Sequence, residues 1–233
     1  MAMTKPAAVV HIVGSDTGVG KTVLTALLLH HLRSNGGNVR AVKPVATGDQ
    51  SDAQILSALQ GAPPVTELNR WFWPQPVAPL LAARNAGEKL SSREVVDWLN
   101  TERQKCDLLL VEGAGGVLSP LGERFSSLEI IKALPGKVLA AVPDRVGAIN
   151  QARLLHLVLH SHELPHAIIL MGHPQSTQEI TTSNTALIQE FTGSQVYPLP
   201  YLGPEVSTAQ EIQRSGAKHL AAVCAIARSL KGA

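Results

Sequence analysis

Six segments of strand length along the chain are almost continuously apolar. They cover residues 7–13, 39–45, 107–113, 137–142, 166–171 and 194–200. Apolar side chains at successive positions, rather than at alternate ones, are typical of strands buried on both faces of a parallel sheet. The pattern therefore predicts six buried strands.

Segments with helical periodicity separate these strands. They cover residues 21–32, 52–59, 91–100, 147–159, 180–191 and 208–230, and an interruption of the last one is expected near Gly216. Ser91 or Ser92 is placed to cap the third helix. Strands that alternate with helices predict an α/β fold with right-handed crossovers. We expect a single domain over residues 1–233, with a mostly parallel sheet between two layers of helices.

A glycine-rich loop, GSDTGVGKT, follows the first predicted strand and leads into an apolar helix. Gly20, Lys21 and Thr22 match the end of the phosphate-loop pattern G-x-x-x-x-G-K-[ST], whereas Ser15 stands at its first glycine. Backbone N–H groups at a helix N-terminus bind anions, the lysine reaches the β- and γ-phosphates, and the hydroxyl ligates Mg²⁺. The loop predicts binding of a nucleoside triphosphate with Mg²⁺ and a three-layer fold like that of P-loop NTPases.

Charged side chains stand close to the ends of two other predicted strands. Lys43 lies in the segment KPVATG, Glu112 ends the apolar run LLLVE, and Asp52 starts the helix after the second strand. Ligands of α/β sheets bind at the carboxyl ends of strands, and a buried charge is costly without an opposite charge. We expect these three residues at the ligand site. The alternatives are a helix N-cap for Asp52 and a surface position for Lys43.

Composition excludes several classes of function. The net charge of +2 gives no large field of one sign, so we expect no nucleic-acid partner. No apolar run approaches the roughly 18 residues that cross a bilayer, so we expect no membrane partner. Cys106 and Cys224 lack metal-ligand spacing, which predicts buried, reduced thiols in a cytoplasmic protein.

The segment HELPH matches the zinc-protease pattern H-E-x-x-H at His162 and His166. That chemistry needs both histidines on one face of a helix, and Pro165 inside the helix would cost roughly 3 kcal/mol. We therefore expect no zinc here. His156 and His160, together with His162, are expected to be solvated near a helix C-terminus.

Several motifs together resemble the dethiobiotin synthetase family. They are GSDTGVGKT, KPVATG, SDA at 51–53 and VEGAGG, followed by RVGAIN at 145–150 and PLPYLG at 198–203. A proline-rich segment at 76–79 adds to the resemblance. The family implies an ATP-dependent ligase of biotin biosynthesis that makes dethiobiotin from 7,8-diaminononanoate, CO₂ and MgATP. It also implies a homodimer with the diamine near the interface.

The resemblance implies roles for individual residues. Lys21 and Lys43 would neutralise the carbamate and the transferred phosphoryl group, and Thr47 would contact the diamine. Mg²⁺ would be held by Thr22, Asp52 and Glu112. The nucleotide would be contacted by Gly18, Val19, Gly20, Lys21, Thr22, Val23, Asp52, Glu112, Gly113, Ala114, Gly115, Gly172, His173, Pro200, Tyr201 and Leu202.

The chain departs from the family pattern in three segments. In the glycine-rich loop Gly18 stands where some members carry an acid, which costs little because backbone groups make the contact. Ala78 and Leu80 stand where the family often has polar residues in P-x-S-P-H. Gly172 and His173 stand where an Asn-Asp pair often reads adenine, so the preferred base is left open. The aromatic cluster at 71–74 is either core packing or a lid or interface over the acyl chain.

Other phosphate-loop proteins are the alternatives to a dethiobiotin synthetase. A ParA/MinD-like ATPase switch carries the loop K-G-G-x-G-K-[ST], but Asp16 stands here in the place of its first lysine. An amidoligase of the cobyrinate type usually has an additional glutaminase domain, for which the chain is too short. A divergent family member that has lost activity is the third alternative.

Overall fold

The computed structural model describes residues 6–203 and 208–230, and this part of the chain contains eight strands and nine α-helices. The strands are β1 (Ala8–Gly14), β2 (Val39–Val42), β3 (Val45–Thr47), β4 (Trp71–Trp73), β5 (Leu108–Glu112), β6 (Lys137–Pro143), β7 (His166–Met171) and β8 (Val196–Leu199).

The helices lie between the strands and at the C-terminal end of the described chain. They are α1 (Lys21–Ser34), α2 (Ser51–Leu59), α3 (Pro79–Asn85), α4 (Ser92–Arg103), α5 (Ser127–Ala133), α6 (Ala148–His160), α7 (Gln178–Thr192), α8 (Ala209–Lys218) and α9 (Leu220–Ser229), with a 3₁₀ helix at Val65–Glu67. None of these helices combines the length and the apolar character that a bilayer-spanning helix needs.

Six strands form the main sheet in the order β2-β5-β1-β6-β7-β8, and each neighbouring pair is parallel. Successive side chains of β6 enter different cores. Leu139 and Ala141 join a cluster that includes α1, α8 and α9, whereas Val138 and Ala140 join a cluster with α6 and α7. This three-layer arrangement of helices around a parallel sheet confirms the predicted fold class.

The second predicted strand, 39–45, is two strands. β2 ends at Val42, and Pro44 has no N–H to donate to a sheet ladder. The chain therefore leaves the main sheet, and β3 pairs in parallel with β4 in a separate two-stranded sheet. The prediction of one continuous strand was wrong, and Lys43 lies at this break.

The aromatic cluster at 71–74 supplies β4. The ring of Trp71 meets the ring of Trp98 edge to face at a centroid distance of 5.8 Å. Trp73 is buried, and its Nε1 donates a hydrogen bond to Glu88 Oε2 at 3.2 Å. These contacts within the chain support core packing for the cluster.

The predicted helices are present with small differences at their ends, whereas α3 and α5 were not predicted. Ser91 caps α4 in a capping box with Glu94, as one of the two expected caps. The C-terminal helical segment is interrupted at His219 rather than near Gly216. A Cβ at Gly216 would lie 2.5 Å from Leu27 Cδ2, so this glycine serves the close packing of α8 on α1.

The HELPH segment is not helical, because α6 ends at His160 and β7 begins at His166. His160 and His162 are exposed, as expected. His156 is half-buried, contrary to expectation, and its Nδ1 lies 3.0 Å from His166 Nε2.

Both cysteines are free thiols in the structure. Cys106 is buried, as expected, whereas Cys224 is only half-buried. The prediction of two buried thiols therefore holds for the first and is wrong for the second.

Candidate active site

The glycine-rich loop joins the end of β1 to the start of α1. Gly18 and Gly20 have φ angles of 72° and 93°, a region that favours glycine over residues with a Cβ. These two positions allow the chain to turn back so that α1 begins at Lys21. Lys21 Nζ folds over the loop and donates a hydrogen bond to the carbonyl oxygen of Asp16 at 2.8 Å. Burial lowers the pKa of Lys21 to about 8, although the nearby Glu112 charge opposes the shift.

A buried charge cluster lies beside this loop, where β5 ends and where the chain leaves β2. Glu112 is fully buried, and its Oε1 accepts hydrogen bonds from Thr22 Oγ1 at 2.6 Å and from Lys43 Nζ at 3.0 Å. Lys43 Nζ also pairs with the carboxylate of Asp52. Burial lowers the pKa of Lys43, but the charges of Glu112 and Asp52 and their hydrogen bonds outweigh it and raise the pKa above its usual value.

The oxygen atoms of this cluster fit a magnesium ion. Glu112 Oε2 is buried without a hydrogen-bond partner, and the Thr22 hydroxyl lies against the same carboxylate. Mg²⁺ prefers oxygen ligands, keeps several waters and needs few carboxylates when it also binds phosphates. Residues 6–203 and 208–230 contain no group of three or more His, Cys, Asp or Glu placed to hold a metal, and Mg²⁺ does not require one.

Asp52 does not cap its helix. Gln50 occupies the N-cap position of α2, and Asp52 lies in the first turn with its carboxylate against Lys43. The alternative of a surface lysine is also wrong, because Lys43 is buried. The structure thus brings Lys43, Asp52 and Glu112 together, as expected from their positions in the sequence.

A first cavity, of about 270 Å³, lies on the α1 side of the loop. We call it the base cavity, because it contains Gly172 and His173, where the family resemblance leads us to expect the nucleotide base. It is lined by Gly18, Val19, Gly20, Val23, Pro143, Met171, Gly172, His173, Pro174, Leu199, Pro200, Tyr201, Leu202 and Gly203.

Backbone packing shapes the wall of the base cavity. A Cβ at Gly172 would lie 2.1 Å from Tyr201 N and 2.6 Å from Pro200 C, so no side chain fits there. His173 Nδ1 accepts a hydrogen bond from Gln175 N at 3.3 Å. In a neutral ring the other nitrogen, Nε2, then carries the proton and is a donor.

A second cavity, of about 600 Å³, lies on the other side of the loop. We call it the cleft. Its lining includes Lys43, Thr47 and Asp52, together with Ala114 and Gly115. The proline-rich segment, with Pro76, Val77, Ala78 and Pro79, gives it an apolar wall. Gly18 lines both cavities, so the glycine-rich loop separates them.

Comparisons with known proteins agree with these motifs. A family model described as an AAA domain matches residues 8–205. The ATP-dependent dethiobiotin synthetase of Nitrosospira multiformis is 36% identical over 162 residues, which are 67% of this chain and 71% of that protein. The corresponding protein of Bacillus cereus strain B4264 is 30% identical over 217 residues, 90% of this chain and 89% of that protein. The chain belongs to the dethiobiotin synthetase family.

Among the solved structures that share this fold are cell division proteins. The MinC:MinD cell division protein complex of Aquifex aeolicus matches with a TM-score of 0.59 at 17% identity, over 97% of each chain. MinD of the same organism matches with a TM-score of 0.57 at 18% identity, over 97% of this chain and 98% of that one. At this identity the likeness shows the fold alone.

Most residues that the dethiobiotin synthetase pattern implies surround the two cavities. Four of them, Lys21, Thr22, Glu112 and Gly113, line neither cavity. The first three belong to the start of α1 and to the buried charge cluster beside the loop. Gly113 packs against Ser127 behind the cleft, and Leu80 lies outside the cleft lining, with its N–H directed to Pro120 O at 3.2 Å. Ala78, the other residue that departs from P-x-S-P-H, does line the cleft.

Sequence reasoning missed Pro143 and Met171, which line the base cavity. They are the last residues of β6 and β7. The signal was present, because both lie at or beside the carboxyl ends of predicted strands, where ligands of parallel sheets bind.

Proposed function

We propose that the chain is an ATP-dependent dethiobiotin synthetase, which converts 7,8-diaminononanoate, CO₂ and MgATP into dethiobiotin, ADP and phosphate. The observation that carries this proposal is the position of Gly18 in the lining of both cavities. A nucleotide that crosses the glycine-rich loop places its base in one cavity and its terminal phosphate at the edge of the other. The cleft then receives the second substrate.

Residues of the loop bind and orient the triphosphate. The backbone N–H groups from Gly18 to Val23 face the phosphates at the start of α1. Lys21 releases the carbonyl of Asp16 and turns to the β- and γ-phosphates, whose charge favours its protonated form. Thr22, Asp52 and Glu112 would hold Mg²⁺, which supplies charge neutralisation of the phosphate oxygens when bound.

The cleft suits an aliphatic diamine. Its apolar wall at 76–79 fits a hydrocarbon chain, and the Thr47 hydroxyl offers a polar contact. Lys43 places a positive charge in the cleft lining, close to the loop. A carbamate and a transferred phosphoryl group, both anionic, are stabilised by such a charge.

The reaction needs positioned charge rather than a covalent enzyme intermediate. One substrate amine attacks CO₂ and loses a proton, which gives a carbamate. A carbamate oxygen attacks the γ-phosphorus, and ADP leaves. The second amine attacks the carbonyl carbon of this mixed anhydride and loses a proton, phosphate leaves and the cyclic urea closes. Lys21 and Lys43 neutralise charge in these steps, as phosphoryl transfer requires.

We also propose that the chain is a homodimer that works in the cytoplasm. Leu118, Leu154 and Leu157 are 57%, 56% and 59% exposed, and the first two line a third cavity, of about 390 Å³, beside the loop residue Ser15. Exposed leucines grouped beside such a cavity favour association with another protein surface. Leu154→Glu should give a monomer in analytical ultracentrifugation. Leu220→Glu, at a leucine on α9 that is 51% exposed, should not.

The test of the enzyme proposal is phosphate release from MgATP with 7,8-diaminononanoate and bicarbonate, with each omitted in turn. Release that requires both, with dethiobiotin detected by mass spectrometry, supports the proposal. Nucleotide binding without diamine-dependent release contradicts it and favours a partner-gated ATPase or an inactive member of the family.

A further inference from the structure

Asp144, directly after β6, is a buried carboxylate with neutral partners. It is 1% exposed, Oδ1 accepts a hydrogen bond from Asn184 Nδ2 at 2.7 Å, and Oδ2 accepts one from Thr181 Oγ1. Both partners belong to α7. Across the described ranges, no basic side chain forms an ion pair with this carboxylate. Removing a carboxylate from water without a counter-charge is costly, so its position requires an explanation.

The backbone of the same residue holds the segment between β7 and α7. Asp144 N donates to Met171 O at 2.7 Å, and Asp144 O accepts from Ser176 Oγ at 2.5 Å. Ser176 Oγ in turn accepts from His173 N at 2.9 Å. Residue 144 is therefore connected to the residue just before this segment, to Ser176 near its end and, through the carboxylate, to the helix that follows.

This segment is one wall of the base cavity, which Met171, Gly172, His173 and Pro174 line. His173 and Tyr201 supply the only polar side chains in the described lining. With so few side-chain hydrogen bonds available, affinity for a base depends on contact with a wall in the correct place.

We propose that Asp144 is a positioning residue for the nucleotide base, which acts through Ser176 and α7 on the wall formed by residues 171–174. The inference rests on the proposed function, in that the base cavity receives the base of ATP. It does not depend on the identity of the diamine. Asp144 does not line the base cavity, so its effect on binding is indirect.

The experiment compares the dissociation constants of ATP and of inorganic tripolyphosphate, both with Mg²⁺, by calorimetry. Asp144→Ala should weaken ATP binding about tenfold, as expected for the loss of a buried hydrogen-bond network. Tripolyphosphate has no base, so its dissociation constant should stay within about twofold of wild type. Asp144→Asn should restore ATP binding, because an amide can accept from Asn184 and donate to Thr181.

A matched pair on α7 keeps the test decisive if Asp144→Ala does not fold. Thr181→Ala, which removes a donor to Asp144, should weaken ATP binding severalfold, as should Ser176→Ala. Thr182→Ala is the control, because the Thr182 hydroxyl bonds only within α7 in the described chain, to Gln178 O at 2.8 Å and to Gln178 Nε2 at 3.4 Å.

Unchanged ATP binding in the folded variants, or equal weakening of ATP and tripolyphosphate, would overturn the role of Asp144. Failure of the wild-type protein to bind ATP would instead overturn the proposed function. Binding of ATP by the wild type without diamine turnover would leave the inference about Asp144 intact, so the two failures are distinguishable.

Discussion

Removal of the Lys43 charge should destabilise the protein strongly, even without any ligand. The side chains of Lys43 and Glu112 are 10% and 0% exposed, and their charged groups are 3.0 Å apart. In Lys43→Met the glutamate keeps the hydrogen bond from Thr22, while its Oε2 still has no partner. Breaking a buried pair from one side leaves an uncompensated charge, which costs about 3–5 kcal/mol.

Two further variants distinguish the effect of the uncompensated Glu112 charge from the loss of packing by the Lys43 side chain. Lys43→Met with Glu112→Gln removes both charges, so the double variant should be less destabilised than the sum of the two single variants by more than about 1 kcal/mol. Asp52→Asn is the control. The Asp52 side chain is 40% exposed, so its pairing with Lys43 should contribute less than about 1 kcal/mol.

Urea unfolding at pH 7, followed by circular dichroism, measures these free energies. The reasoning is refuted if Lys43→Met loses less than about 1 kcal/mol, or if the two single losses add within about 0.5 kcal/mol. ATP binding by the folded Lys43→Met variant should survive while turnover is lost. The reverse result would remove Lys43 from the chemical step.

Three further variants test other parts of the structure. Lys21→Ala should abolish turnover because the γ-phosphate loses its charge partner, and near-normal phosphate release would exclude the proposed phosphate-loop role. Gly172→Ala should cost about 1–3 kcal/mol and raise the KM for ATP, since its Cβ would meet the backbone at 2.1 Å. Unchanged urea unfolding would contradict that packing. Burial lowers the pKa of His11 from 6.5 to about 4, so unfolding takes up a proton between these values and stability falls as the pH falls through this range. From pH 7 to 5, His11→Gln should therefore lose about 2 kcal/mol less stability than wild type, and equal pH profiles would refute this.

The sequence predicted the positions of site residues best where the local pattern and the sheet topology agree. The loop that begins α1 carries its own motif, and Lys43 and Glu112 follow or end apolar runs. Carboxyl ends of neighbouring parallel strands meet at one edge, so their proximity followed from topology alone. The same argument would have found Met171 had it been applied to every predicted strand.

Features that depend on contacts distant in sequence were not predictable in this way. Residues 39–45 have the pattern of one strand, and Pro44 is the only local sign that β3 leaves the main sheet. The approach of Gly172 to Tyr201 and the burial of Asp144 arise from the packing of separate segments. A glycine or an aspartate beside a strand has many possible causes, so neither residue type identifies its role alone.

Because the chain leaves the main sheet at Pro44, parts of the two cavities are formed by different secondary-structure elements. Thr47 and the proline-rich wall of the cleft are held by the small sheet of β3 and β4 and by α3, whereas the base cavity is built at the ends of β6, β7 and β8. Under the proposed function, substitutions in β3, in the proline-rich segment and in α3 can therefore change which small molecule is accepted while the nucleotide site is preserved. The wall that selects the second substrate can therefore change in evolution while the part that binds the nucleotide stays the same.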